Sequence, residues 1–352
     1  MRLDPQVQRL YEQLERELDS FPAGTRFYSL HEIATKFRVH RRVIDATILQ
    51  MKSRGLIESI PRVGCFSKVT RKPDSRRILL AEPDWPSGTT SRWSCAALEY
   101  AEQHKNWNLV RRLYNGEHEE LSAISTRNFD ALMIRYWHSS FSAADMRWLS
   151  EQSIPVVMLL GMDVGDFEIS SICSDDNAGA ILACGYLHRK GHRRVLMVVS
   201  EPGQKIREWS RRFPDTAEIL GMECSVLDCH MENFTYARNQ AYEAVRNYLL
   251  AHDGKADFTA VYVIAGESVP GVMKAIREFG YHIPDDISIL AHTDDADDEF
   301  IHPPLSIVAY DQSAEVEAVF RGIRECLQGK YNSFHVKLPM RIIERDSVAA
   351  RT

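Results

Sequence analysis

No stretch of this chain stays apolar for long. None of its runs approaches the roughly 18 residues needed to span a bilayer, so no membrane-spanning helix is expected. The opening residues Met1-Arg2-Leu3-Asp4-Pro5 lack the apolar core of a secretory signal. The seven cysteines are odd in number and scattered, and no two stand in a C-x-x-C pair. That excludes a disulfide framework and a zinc ribbon. Cys224, Cys229 and His230 lie close together, but without zinc-finger spacing or a second ligand cluster. Reduced thiols in a cytoplasmic protein are the expectation. Also missing are H-E-x-x-H, a phosphate loop, G-x-S-x-G and G-x-G-x-x-G. No enzyme activity, cofactor or metal is therefore expected.

What is present is a chain of 352 residues, too long for one ordinary core, so two or three domains are expected. Its charge is unevenly spread. Residues 1–76 hold 15 Lys and Arg against 9 Asp and Glu, whereas the remainder holds 28 against 40. A basic module on an acidic body keeps attraction for phosphates at one end of the chain.

The basic end reads as three helices and a hairpin. Asp4-Pro5 is a helix start. Val7, Leu10, Tyr11, Leu14 and Leu18 then recur at helical spacing and form one apolar stripe. Phe21-Pro22-Ala23-Gly24 ends that helix. Ser29 with Glu32 is a capping box that opens a second helix over about 29–37. A third helix is expected from His40 to Arg54, with Val43, Ile44, Ile48 and Met51 inward and Gly55 closing it. Residues 56–60 and 65–69 read as strands around the turn Pro61-Arg62-Val63-Gly64. This is the order of a winged helix-turn-helix. The basic side chains cluster at the start of the third helix, where such modules touch DNA. Arg38, His40, Arg41 and Arg42 are the candidate base or phosphate contacts, with Ser29 at the second helix start and Arg62 on the wing.

Residues 5–69 resemble the winged helix of the gluconate-repressor (GntR) family. The resemblance rests on Ala23-Gly24, Ser29, Val39-His40-Arg41, the run Met51-Lys52-Ser53-Arg54-Gly55-Leu56-Ile57, and Arg62-Val63-Gly64-Cys65-Phe66. His40, Asp45 and Arg62 depart from that family's usual serine, arginine and glycine. Asp45 would repel a phosphate that it faced.

Residues 70–76 read as a polar, basic linker. Beyond them apolar strands alternate with helical segments: 78–81, 109–113, 131–134 and 155–159, then 195–199, 224–227, 260–264 and 287–291. Apolar strands separated by helices predict parallel sheets covered on both faces. The fold class expected is α/β, a winged helix-turn-helix followed by two doubly wound lobes with a ligand cleft between them.

Three stretches sharpen this: Asp175–Val195, Gly280–Ile289 and Pro303–Val308. They resemble the effector domain of lactose/galactose repressors, itself similar to periplasmic sugar-binding proteins. The resemblance covers residues 77–345 and implies an effector domain over 77–347. Lobe one would be about 77–190 and 313–330, and lobe two about 191–312 and 331–347. It also implies three chain crossings, a hinge and a homodimer. The candidate effector contacts are Trp85, Tyr136, Asp175, Arg207, Trp209, Glu267 and Asp294. The two tryptophans would stack on a sugar face, or else pack in the core. Arg207, Glu267 and Asp294 would bind hydroxyls or a charged group.

Together these features predict a repressor-type regulator of transcription that reads operator DNA as a dimer under control of a sugar or related small molecule. Half-sites about one turn, roughly 10 base pairs, apart would match the dimer. The alternative is a sugar-binding signalling protein whose winged helix makes protein contacts, favoured by Asp45 and the altered wing.

Overall fold

The computed structural model describes the chain except residues 1–4, 19–20, 22–23, 54, 61–63, 69–74, 85–87, 105, 116–119, 136–141, 160–168, 201–203, 232–234, 294–295 and 352, and the side chains of 16, 89, 204–208 and 296–297. It divides into two compact units, Met1–Arg76 and Arg77–Thr352.

The first unit is built on the expected plan. Helix α1 (Pro5–Leu18) buries Val7, Leu10, Tyr11, Leu14 and Leu18, the full stripe read from the spacing. Helix α2 (Leu30–Phe37) opens on the Ser29–Glu32 capping box. Ser29 N–H donates to Glu32 Oε2 at 2.6 Å and Glu32 N–H donates to Ser29 Oγ at 3.2 Å. Those bonds hold the Glu32 carboxyl below its usual pKa. Arg38 ends α2 in the left-handed region, φ 51°, and turns the chain into α3 (Arg41–Ser53). Helix α3 buries Val43, Ile44, Ile48 and Met51 as expected, and also Thr47. Thr47 is tolerated inside because its hydroxyl donates to the Val43 carbonyl at 2.8 Å. Strands β1 (Ile57–Ile60) and β2 (Gly64–Ser67) pair antiparallel from Ile57↔Ser67 to Ile60↔Gly64. Residues 24–27 add a third edge that the sequence did not suggest. Phe27 N–H donates to Cys65 O, and Ser67 N–H to Thr25 O.

The second unit holds two six-stranded sheets. The first contains β3 (Arg76–Pro83), β4 (Trp107–Tyr114), β5 (Ala131–Arg135), β6 (Val156–Leu159), β7 (Ser170–Ser174) and β13 (His335–Leu338), in the order β13-β7-β6-β5-β3-β4. The second contains β8 (Arg194–Val199), β9 (Glu223–Asp228), β10 (Ala260–Val263), β11 (Ser288–His292), β12 (Ser306–Ala309) and β14 (Arg341–Ile343), in the order β14-β12-β11-β10-β8-β9. Each sheet has the doubly wound pattern in which the order reverses beside its first strand. Pairing along β8-β10-β11-β12 is parallel, and β14 closes that edge antiparallel.

Alternation explains why the strands read as apolar runs. Ile78, Leu80, Met133 and Val157 face one layer of the first sheet, and Leu79, Leu132, Ile134 and Met158 face the other. Both layers are buried at the central strands, and exposed positions fall mainly on the edge strands β4, β9 and β13. The helices that cover the sheets are α4 (Gly88–Gln103), α5 (Ala143–Ser150), α6 (Asp176–Arg189), α7 (Gln204–Ile219), α8 (Ala237–Ala251), α9 (Val269–Glu278) and α10 (Gln312–Leu327).

The expected lobe boundaries need two corrections. Helix α6, assigned to lobe one by the 77–190 boundary, packs on α7, β12 and β14 of the second lobe. The stretch 331–347, assigned to lobe two, is divided. Strand β13 pairs with β7 in the first sheet, and β14 pairs with β12 in the second. Helix α10 packs on α4, so it belongs with the first lobe. The chain therefore crosses three times, near Asp175, between β12 and α10, and between β13 and β14. A sheet edge takes whichever strand completes its hydrogen bonds, and chain position alone does not reveal that.

The cysteines are all free thiols. Burial pushes the Cys224 and Cys229 thiols up to about 12. No helix among the described residues is long and apolar enough to cross a membrane.

Candidate functional site

Two surfaces carry chemistry, one in each unit. In the first unit Arg38, His40, Arg41 and Arg42 are all exposed at the turn before α3 and on its first turn. The buried side of α3 is fixed by Val43, Ile44, Thr47, Ile48 and Met51, so the outward face is Arg42, Asp45, Ala46 and Leu49. Leu49 is 68% exposed, which is unusual for a leucine in a helix that otherwise buries its apolar residues. Arg41 Nε donates to both carboxylate oxygens of Asp45, at 2.9 and 3.1 Å. Asp45 is thus paired by its neighbour one turn back. Ser29 is half-buried, and its hydroxyl oxygen caps α2. Arg62 lies outside the described residues.

In the second unit the carboxyl ends of the strands on either side of each order reversal are where an open α/β sheet presents ligand groups. In the first lobe these are β3 and β5, and in the second β8 and β10. Strand β3 leads to the N-terminus of α4, and β10 leads to Ile264-Ala265-Gly266-Glu267. These two ends meet: Gly88 N–H, at the start of α4, donates to Glu267 Oε1 at 2.7 Å. A carboxylate at a helix N-terminus is favourably placed, because the free amides and the helix dipole both attract it. One expected effector residue, Glu267, therefore bridges the lobes.

The first lobe also holds a group of buried charges. Glu82 on β3 is wholly buried, paired with Arg111 Nε and accepting from Ser94 Oγ at 2.7 Å. Glu315 at the start of α10 accepts from Trp93 Nε1 at 2.9 Å. Arg135, the last residue of β5, is 1% exposed, and its guanidinium carbon lies 5.0 Å from the centre of the Trp93 ring. None of its three nitrogens has a hydrogen-bond partner among the described residues. Sequence reasoning passed over Arg135. Its signal was a cation ending the apolar run Ala131-Leu132-Met133-Ile134 at a ligand-facing strand end.

The other expected effector residues fare differently. Asp175 caps α6, its Oδ1 accepting from Ala178 N–H at 3.1 Å, and its own N–H donates to Leu338 O where the chain crosses between lobes. Trp209 is 1% exposed and belongs to the core. Its ring stacks on His292 at 4.1 Å between centroids. Packing claimed that face because α7 lays Trp209 and Phe213 inward together. Trp85, Tyr136 and Asp294 lie outside the described residues, as does the side chain of Arg207.

Residues 184–348 match the family model described as a periplasmic binding protein-like domain. Over 160 residues the chain is 26% identical to the probable HTH-type transcriptional repressor ExuR of Bacillus subtilis, covering 46% of each protein. It is 25% identical over 217 residues to the HTH-type transcriptional regulator GalR of Escherichia coli, covering 61% of this chain and 62% of that one. The chain thus spans about half to three-fifths of the length of these relatives. A solved LacI family transcriptional regulator from Enterococcus faecium, with bound ribose, superposes with a TM-score of 0.65 at 19% identity, covering 79% of this chain and 100% of that one. The periplasmic-binding-protein-like body has the fold of these regulators.

Proposed function

We propose that the protein is a ligand-responsive regulator of transcription: the winged helix-turn-helix binds operator DNA, and a sugar or related small molecule binds between the lobes of the body. The observation that carries this reading is the start of α3. Arg38, His40, Arg41 and Arg42 all project into solvent while the same helix buries its opposite face. A cationic, preformed helix start is what a major groove accepts. The relatives GalR and ExuR, named as HTH-type regulators, and the ribose-bound neighbour support the same reading. The resemblance of residues 5–69 to the gluconate-repressor winged helix agrees with it. Two copies would read two half-sites as a homodimer. The effector would act through a higher affinity for one lobe arrangement, which then shifts the affinity for DNA.

The rival reading, a winged helix that contacts protein, drew on Asp45 and the altered wing. The Asp45 carboxylate is paired with Arg41, which weakens the first of these supports, and Arg62 of the wing lies outside the described residues.

Titration of labelled duplex DNA by fluorescence anisotropy between about 50 and 200 mM salt tests the reading. Arg42→Ala is expected to weaken binding by about tenfold or more and to reduce the salt slope by about 1. Asp45→Ala releases Arg41 from a surface pair of little intrinsic strength, and is expected to tighten binding a few-fold. Binding with no salt dependence, or unchanged by Arg42→Ala, would sink the DNA reading.

A further inference from the structure

The effector reading leaves one buried charge unexplained. Arg135 ends β5 beside the reversal of strand order in the first lobe, with its side chain on the layer that holds Met133 and Trp93. Its guanidinium is almost wholly buried, and none of its nitrogens is hydrogen-bonded among the described residues. Proteins bury charge with a partner, because water that is removed must be replaced by an opposite charge or by acceptors. Trp93 offers a ring face at 5.0 Å, which attracts a cation but accepts none of its N–H groups in the plane of the guanidinium.

The neighbouring carboxylates are otherwise engaged. Glu82 pairs with Arg111 and accepts from Ser94. Glu315 takes the indole N–H of Trp93. The strand next to β5 runs into α4, whose first amide already holds a carboxylate, that of Glu267 from the opposite lobe. Two features that favour an anion thus stand at adjacent strand ends of one lobe: a guanidinium with empty donors and a helix N-terminus with a carboxylate on it.

We propose that Arg135 receives the acidic group of the effector, so that the ligand class is an anionic small molecule, a carboxylate or a phosphate ester, and not a neutral sugar. This deepens the effector reading above and rests on it. The planar fork of arginine suits either oxyanion, since both present two oxygens to two parallel N–H groups. Glu267 occupies the α4 amide and would repel or yield to a second anion there. That leaves Arg135 as the anchor and makes the lobe bridge sensitive to ligand entry.

The test uses the full-length chain and thermal unfolding. The probes are inorganic phosphate and acetate, each compared with chloride at equal ionic strength. Wild type is expected to gain a few degrees in Tm with at least one anion, and the identity of that anion tells phosphate from carboxylate. Arg135→Met is expected to lose this gain and, without anions, to melt no lower than wild type, because it removes an unpaired buried charge at similar volume. Arg135→Lys keeps a cation and is expected to keep part of the gain. The proposal is overturned if neither anion shifts wild type, if Arg135→Met responds as wild type does, or if Arg135→Met melts lower without anions, as removal of a structural arginine would. DNA plays no part in this test. A chain that binds no DNA but shows the Arg135-dependent shift would sink the regulator reading and leave the anion site standing.

Discussion

Gly191→Ala is expected to destabilise the body by about 3 kcal/mol or more. Gly191 sits at the corner between α6 and β8 with φ 88°, and a Cβ there would lie 2.1 Å from the carbonyl oxygen of Arg351 and 2.9 Å from its carbonyl carbon. Backbone cannot swing aside as a side chain does. The end of the chain is also tied down around this corner: Arg351 N–H donates to Lys190 O at 2.6 Å, and Ala349 N–H donates to Ser288 Oγ at 3.0 Å. The Arg351 guanidinium donates to the carbonyls of Asp285 and Asp286 at 2.6 and 2.7 Å. Alanine at 191 would push this tail off, and each lost bond costs about 1 kcal/mol. The left-handed backbone adds another 1–2 kcal/mol or so. Gly221→Ala is the control. Its φ is 68° and nothing lies within 4 Å of the added Cβ, so only the backbone penalty applies. Equal losses of stability in the two variants, measured by urea unfolding, would show that the tail is not packed on Gly191.

Acid is expected to destabilise the same corner through His192. Its ring is wholly buried, and burial first, with the nearby Arg351 cation second, lowers its pKa to about 4. Nε2 faces the Ala349 carbonyl at 3.1 Å, which can only accept, so Nε2 carries the proton. Nδ1 then accepts from the Thr259 hydroxyl at 2.9 Å. The neutral ring is therefore fully used. A second proton on Nδ1 would force the Thr259 hydroxyl to turn to the Arg194 carbonyl at 3.5 Å, while the buried ring would carry a charge beside Arg351.

The sign follows. Above about pH 6.5, the ordinary histidine value, neither folded nor unfolded chain holds the extra proton, and the contribution to stability is complete. As pH falls below that, the unfolded chain takes up a proton and the folded chain does not, so stability declines until about pH 4. The loss over this window is about 3 kcal/mol at 1.36 kcal/mol per pH unit. Unfolding free energies of wild type and His192→Gln, measured at pH 7 and pH 5, give the test. Wild type should lose about 2 kcal/mol more than the variant over that interval. Parallel pH profiles would contradict the assignment.

Much of this molecule was legible in one dimension. The stripe of α1, the capping box at Ser29 and the inward set of α3 are local patterns, and each is set by side chains within two turns of one another. The central strands of the body were equally plain, because both sheet faces are covered there and β5, β6 and β10 are apolar nearly throughout. Less legible were the elements that depend on distant partners. Residues 24–27 became a third edge of the wing only because β2 had donors and acceptors to satisfy. Strand β13 joined the first sheet, and α6 the second lobe, against the boundaries that chain order suggested.

The effector site shows the same division. Glu267 was singled out by its place after an apolar strand, and it does reach the opposite lobe. Trp209 was weighed between stacking and core, and the fold gives it to the core beside His292. Arg135 was overlooked because a cation at a strand end looks ordinary until its burial and its lack of partners are known.

By itself the amino-acid order determined the α/β class, the basic helix start in an otherwise acidic chain, and the caps and stripes of individual helices, since all of these come from interactions between residues near in sequence. Only the three-dimensional packing decided which strands share a sheet, where the chain passes from lobe to lobe, and which charges are left in the interior without a counterpart. Those outcomes depend on desolvation and hydrogen-bond completion between segments far apart in the chain, as with Gly88 and Glu267, 179 positions from each other, and Trp93 and Glu315, 222 apart.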